Sequence, residues 1–79
     1  MNESRRSGRL VSLTGREREV LTLLASGCTN AQIADRLTVA QSTIKSHVKH
    51  ILHKLDVGNR AAAISFYLRE IRVDESRSR

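Results

Sequence analysis

The sequence predicts an all-α protein of four helices, with the middle pair forming a helix-turn-helix. Three observations carry this. Apolar residues recur at three- and four-residue spacing rather than in strict alternation. Two capping-box patterns, Thr14 with Glu17 and Thr29 with Gln32, mark two helix starts. The chain has no proline, and its aromatics are only Phe66 and Tyr67. Its core must therefore be packed from Leu, Ile, Val and Ala, which favours helices over a β-sandwich.

Residues 1–12 (MNESRRSGRLVS) are polar and basic, and are expected to form a flexible arm. Arg5, Arg6 and Arg9 suit either a solubilising tail or contacts to phosphates or a minor groove. Helix 1 starts at the Thr14 cap, buries Val20, Leu21 and Leu24, and ends at Gly27, which tolerates the left-handed conformation of a helix terminus. Helix 2 starts at Thr29. Cys28 and Ile33 occupy the positions of a hydrophobic staple, and Ile33, Ala34 and Leu37 face inward. Ala34 is small, as a close helix crossing requires. Thr38, Val39 and Ala40 make the turn, with Val39 as its buried plug. Helix 3 spans about Gln41 to Leu55. Helix 4 follows the N-cap Asn59 and runs through an Ala-rich segment to about Ile71. The folded domain is thus expected over residues 13–71, followed by a charged, frayed tail at 72–79.

Helix 3 resolves into faces. At about 100° per residue, Ile44, Val48, Ile51, Leu52 and Leu55 share one arc and form the core face. Ser42, Lys45, Ser46, Lys49 and His53 share a second arc that holds neither an acid nor a large apolar group. Thr43, His47, His50 and Lys54 lie between them. Between Asp35 and Asp56 there is no acidic residue at all. A helix of this kind suits the DNA major groove. Lysine donates to guanine O6 and N7, and serine pairs with several bases. Residues near the helix start reach deepest, so Ser42, Lys45, Ser46 and Lys49 are the candidate base contacts. Thr43, His47, His50 and Lys54 suit phosphate oxygens.

Composition agrees. The 79 residues allow one small domain, and fourteen Lys and Arg against eight Asp and Glu give a net charge of +6. The sequence pI is about 10.8. Such a charge attracts polyanions, of which nucleic acid is the commonest. A membrane surface fits poorly, because the basic residues do not oppose a wide apolar face. The lone Cys28 forms no internal disulfide, in keeping with a reducing cytoplasm, and association with the nucleoid is expected. His47, His50 and His53 wander around the helix and have no Cys or carboxylate nearby in sequence, so no metal is expected. Neither a cofactor motif nor a nucleophile–base arrangement stands out, so no enzyme is expected.

The same residues resemble the LuxR/FixJ/NarL-type helix-turn-helix family. The matching elements are LT-REREVL at 13–21, the corner at Gly27–Asn30, IA--L at 33–37, TIK-H at 43–47, KL-V at 54–57, and Arg60. The resemblance covers about two-thirds of the chain and is specific as an ensemble. It implies a four-helix DNA-binding domain with helix 3 in the major groove. Lys45, Ser46 and Lys49 match common base-contact positions, Thr43 matches a usual phosphate contact, and Asn30 lies near another. It also implies a homodimer through helix 4, where Ala61, Ala62, Ser65 and Phe66 are the candidate interface. The family usually has Ser at the helix 3 N-cap, where this chain has Ala40. Ser42 and Ser46 stand at variable positions, so the target sequence does not follow.

The expected function is a sequence-specific transcription regulator, with double-stranded DNA and a second copy as partners and RNA polymerase as a further candidate. Most relatives carry a receiver or ligand-binding domain ahead of this one, so the chain is either free-standing or an excised C-terminal domain. The starting Met1 and the arm lean toward free-standing. The alternative is a protein-interaction module that pairs with a larger regulator through helix 4 and modulates it.

Overall fold

The computed structural model describes Leu10 and residues 12–77, with side chains through residue 71. Among the described residues, four helices follow in order: α1 (Gly15–Ala25), α2 (Asn30–Leu37), α3 (Gln41–Leu55) and α4 (Arg60–Arg77). No strand is found among the described residues.

The helix starts follow the sequence signals. Thr14 Oγ1 accepts from Glu17 N–H at 3.1 Å, and the Glu17 carboxylate accepts from Thr14 N–H at 2.9 Å. Thr29 and Gln32 repeat this reciprocal pair at 3.1 and 2.9 Å. Asn59 Oδ1 accepts from Ala62 N–H at 2.8 Å and opens α4. Each cap satisfies donors that the first helical turn would otherwise leave orphaned. The exception is α3, whose N-cap Ala40 makes no side-chain cap bond.

The first three helices end in one common way. A residue in the left-handed region stops each of them: Gly27 (φ 93°), Thr38 (φ 59°) and Asp56 (φ 57°). The next N–H then reaches back to a carbonyl five residues earlier, from Cys28 to Leu23, Val39 to Ala34 and Val57 to Leu52, at 3.0–3.1 Å. A second bond, to a carbonyl three residues earlier, runs beside each, from Gly27 to Leu24, Thr38 to Asp35 and Asp56 to His53, at 3.0–3.3 Å. These are Schellman closures. The apolar residue just past each stop (Cys28, Val39 or Val57) is half-buried against the core, which fixes the direction of the chain. Only the first stop is a glycine. The other two place a side chain where L-residues pay about 1–2 kcal/mol, and the paired hydrogen bonds and the buried apolar residue offset that cost.

The core combines Val20, Leu21 and Leu24 of α1 with Ile33 and Ala34 of α2, Ile44, Ile51 and Leu55 of α3, and Ala63 and Phe66 of α4. Burying each larger side chain contributes roughly 1.5–3 kcal/mol. Tyr67 ties α4 to α1. Thr22 spends its proton on the Arg18 carbonyl at 2.9 Å, so the Tyr67 hydroxyl donates to Thr22 Oγ1 at 3.1 Å. Arg60 reaches the Cys28 carbonyl at 3.4 Å and links the start of α4 to the α1–α2 corner.

Three expectations change. Leu10, assigned to the arm by its polar surroundings, is buried with Leu13, so packing begins before residue 13. Arg5, Arg6 and Arg9 lie outside the described residues. Helix α4 continues through Arg77 rather than ending near Ile71, since neither glycine nor proline follows Gly58 to stop it; residues 78–79 lie outside the described residues. Finally, Phe66 is 9% exposed and belongs to the monomer core rather than to an outward dimer face.

Replacing Ala40 with Ser supplies the missing α3 cap. It is expected to raise stability by about 1 kcal/mol, seen as a thermal midpoint higher by roughly 4–8 °C. An unchanged midpoint would show that the α3 N-terminus needs no side-chain acceptor.

Candidate nucleic-acid interface

Helix α3 is anchored on one side and open on the other. Ile44, Ile51 and Leu55 are fully buried, and Val48 and Leu52 are half-buried against the core. On the opposite side Ser42, Lys45, Ser46, Lys49 and His53 are all exposed. The five predicted core positions and the five predicted outward positions thus fall where the helical period puts them. Because the preceding turn closes on Val39, the α3 N-terminus emerges at a fixed angle from α2 with Ser42 and Lys45 in its first turns.

The edge between these faces carries Thr43, His47, His50 and Lys54. Thr43 and His47 are half-buried, and the His50 side chain is 64% exposed. Asn30, in the first turn of α2, is half-buried. Its side-chain Oδ1 is buried without a hydrogen-bond partner, since Thr29 and not Asn30 performs the capping.

Lys54 is placed differently from a free phosphate contact. Its Nζ donates to Glu17 Oε1 at 2.8 Å, and the Glu17 side chain is only 5% exposed. Glu17 Oε2 stands 3.9 Å from His50 Nδ1, beyond hydrogen-bond range. The capping carboxylate of α1 therefore also engages the C-terminal half of α3. Burial alone pushes the Glu17 carboxyl up. The Lys54 ammonium, with the Thr14 N–H and hydroxyl, outweighs burial and holds the group below its ordinary value of 4.5. Glu17 was legible in the sequence only as a cap. Its partner is 37 positions away, and no local spacing announces it.

Residues 11–67 match the family model of bacterial regulatory proteins, luxR family. The chain belongs to the luxR family. It is 49% identical over 59 residues to a probable transcriptional regulatory protein, SgaR, of Hyphomicrobium methylovorum, covering 75% of this chain and 28% of that protein. It is also 49% identical over 51 residues to the nitrate/nitrite response regulator NarL of Escherichia coli K12, covering 65% and 24%. Among solved structures, the response regulator StyR superposes with a TM-score of 0.79 at 35% identity, covering 86% of this chain and 34% of that one. The chain thus spans about a quarter to a third of the length of these relatives. The luxR-family match takes in α1, α2, α3 and the first part of α4. No described helix is long and apolar enough to cross a membrane.

The Glu17 pair has a pH signature. A carboxyl whose folded pKa is depressed stabilises the fold fully above its unfolded value. That stability is lost as pH falls from about 4.5 through the lowered value. Glu17→Gln is expected to lose about 2 kcal/mol at neutral pH, and the gap to the unaltered chain should close below the folded pKa. Denaturant unfolding from pH 7 to pH 2 measures this. A gap constant across that range would show that the charge of Glu17 contributes nothing.

Proposed function

We propose that this luxR-family chain is a sequence-specific DNA-binding transcriptional regulator that inserts α3 into the major groove. The observation that carries the reading is the exposed, acid-free face of Ser42, Lys45, Ser46 and Lys49, backed by a core stripe in which Ile44, Ile51 and Leu55 are fully buried. In this reading the two lysines donate to guanine edges, the two serines adapt to neighbouring bases, and Thr43, His47, His50 and Asn30 meet phosphates.

One such unit makes few phosphate contacts and would bind weakly, with affinity falling steeply with salt. Pairing two units about one helical turn apart, or a multiple of it, adds affinity and imposes symmetry on the site. The second part of the proposal is therefore a homodimer through α4. Ala61 and Ser65 are exposed, Ala62 is half-buried, and Leu68, 41% exposed, is a large apolar side chain on the surface of the same helix. Small residues there permit close helix approach, and Leu68 supplies apolar area. RNA polymerase is proposed as a further partner, and the nucleoid as the place of action.

Selection from a random duplex library at near-physiological salt tests the first part. Enrichment of one motif is expected, and Lys45→Ala or Lys49→Ala should each cost about 1–3 kcal/mol and relax preference at one position. Uniform weakening on all sequences would reassign these lysines to the backbone. For the second part, Leu68→Glu should abolish cooperative binding to paired half-sites and leave binding to a single half-site unchanged. Cooperative binding that survives the change would exclude α4 as the contact.

A further inference from the structure

We propose that Glu17 is a positioning residue of the DNA interface: from α1 it holds Lys54 out of the phosphate contacts. The assignment rests on the reading that α3 binds DNA. Thr43, His47, His50 and Lys54 recur at spacings of four, three and four along one edge of α3, so on sequence grounds all four reach the same backbone. The structure separates Lys54 from the others.

Two features keep Lys54 in place. First, Glu17 is 5% exposed, and Lys54 Nζ, at 2.8 Å, is its cationic partner. Moving that ammonium to a phosphate would leave a carboxylate buried without a counter-charge. Second, no neighbour substitutes for it. His50 Nδ1 lies 3.9 Å from Oε2, and the His50 ring is largely in solvent. The Thr14 N–H that also reaches Oε1 is neutral and already part of the cap. A phosphate in the groove, screened by water and salt, offers Lys54 less than the buried carboxylate does.

The consequence is a defined electrostatic footprint. The pair is neutral as a unit, so the C-terminal half of α3 presents DNA with neither the Lys54 cation nor the Glu17 anion. Binding energy is then concentrated on the start and middle of the helix, where Lys45 and Lys49 face outward. Without Glu17, Lys54 (whose side chain is already 34% exposed) would swing free and add a contact that carries no sequence information.

The test is the salt dependence of binding to a short mixed-sequence duplex, from about 50 to 200 mM salt. Three forms are compared where circular dichroism shows each to be folded: the unaltered chain, Glu17→Gln, and the double variant Glu17→Gln with Lys54→Met. Loss of stability alone does not move this slope among folded samples. Glu17→Gln is expected to steepen the log–log slope by roughly 0.9, one added phosphate contact, and to tighten mixed-sequence binding several-fold. The double variant, which keeps the net charge of the original pair, is expected to restore the original slope. A double variant whose slope is shallower by roughly 0.9 would overturn the proposal, because Lys54 would then be a phosphate contact in the complex. An unchanged slope in Glu17→Gln would also overturn it. Absence of duplex binding by the unaltered chain would overturn this assignment together with the reading beneath it, whereas the other two contrary results overturn this assignment alone.

Discussion

The constraint on which the rest depends is the seating of α3 along a single apolar stripe. Ile44, Ile51 and Leu55 lie within about 40° of one another around the helix, and none is exposed to solvent. A rotation of α3 large enough to change which residues face outward would bring at least one of them into water, at roughly 1.5–3 kcal/mol per side chain. The outward display of Ser42, Lys45, Ser46 and Lys49 is therefore a by-product of core packing. Neither the lysines nor the serines need any contact of their own to be held in place. In a chain with only two aromatic residues, this aliphatic seating does what larger side chains do elsewhere.

The corners supply the remaining geometry. Three consecutive helices end in the same pair of backbone hydrogen bonds and the same half-buried apolar residue. Each closure satisfies carbonyls that would otherwise be orphaned and turns the chain within a few residues. At the turn between α2 and α3, Thr38 accepts a left-handed backbone so that Val39 can pack inward. The angle of α3 to α2 thus follows from a local motif, while its rotation follows from the core. The Glu17–Lys54 pair adds a third constraint at the far end of α3, where the corner has no influence.

Much of this was legible in the sequence because it is local. The capping boxes at Thr14 and Thr29, the Asn59 cap and the limits of α3 each depend on residues within four positions of one another. The division of α3 into inner and outer faces needs only the helical period. What was not legible is non-local or degenerate. Leu10 ends a largely polar and basic run, and only the packed structure reveals its burial. Phe66 follows a run of small residues that gives no clear stripe, so its inward direction is set by how α4 lies on α1. Thr38 and Asp56 stop helices without glycine, and no composition rule marks them. Lys54 looked like its neighbours on the phosphate edge. Its difference comes from a carboxylate on another helix.

If the reading of α3 is right, its outward face from Ser42 to Lys49 is the surface that meets DNA. Backbone amide NMR of the labelled chain during titration with a duplex tests it most directly. The largest shift changes are expected at Ser42, Lys45, Ser46 and Lys49, smaller ones at Asn30, Thr43, His47 and His50, and little change at Leu21, Ile33 and Ala63 in the core. Changes concentrated on α4 around Ala61, Ser65 and Leu68, with α3 unmoved, would contradict it and make the chain a protein-docking module instead.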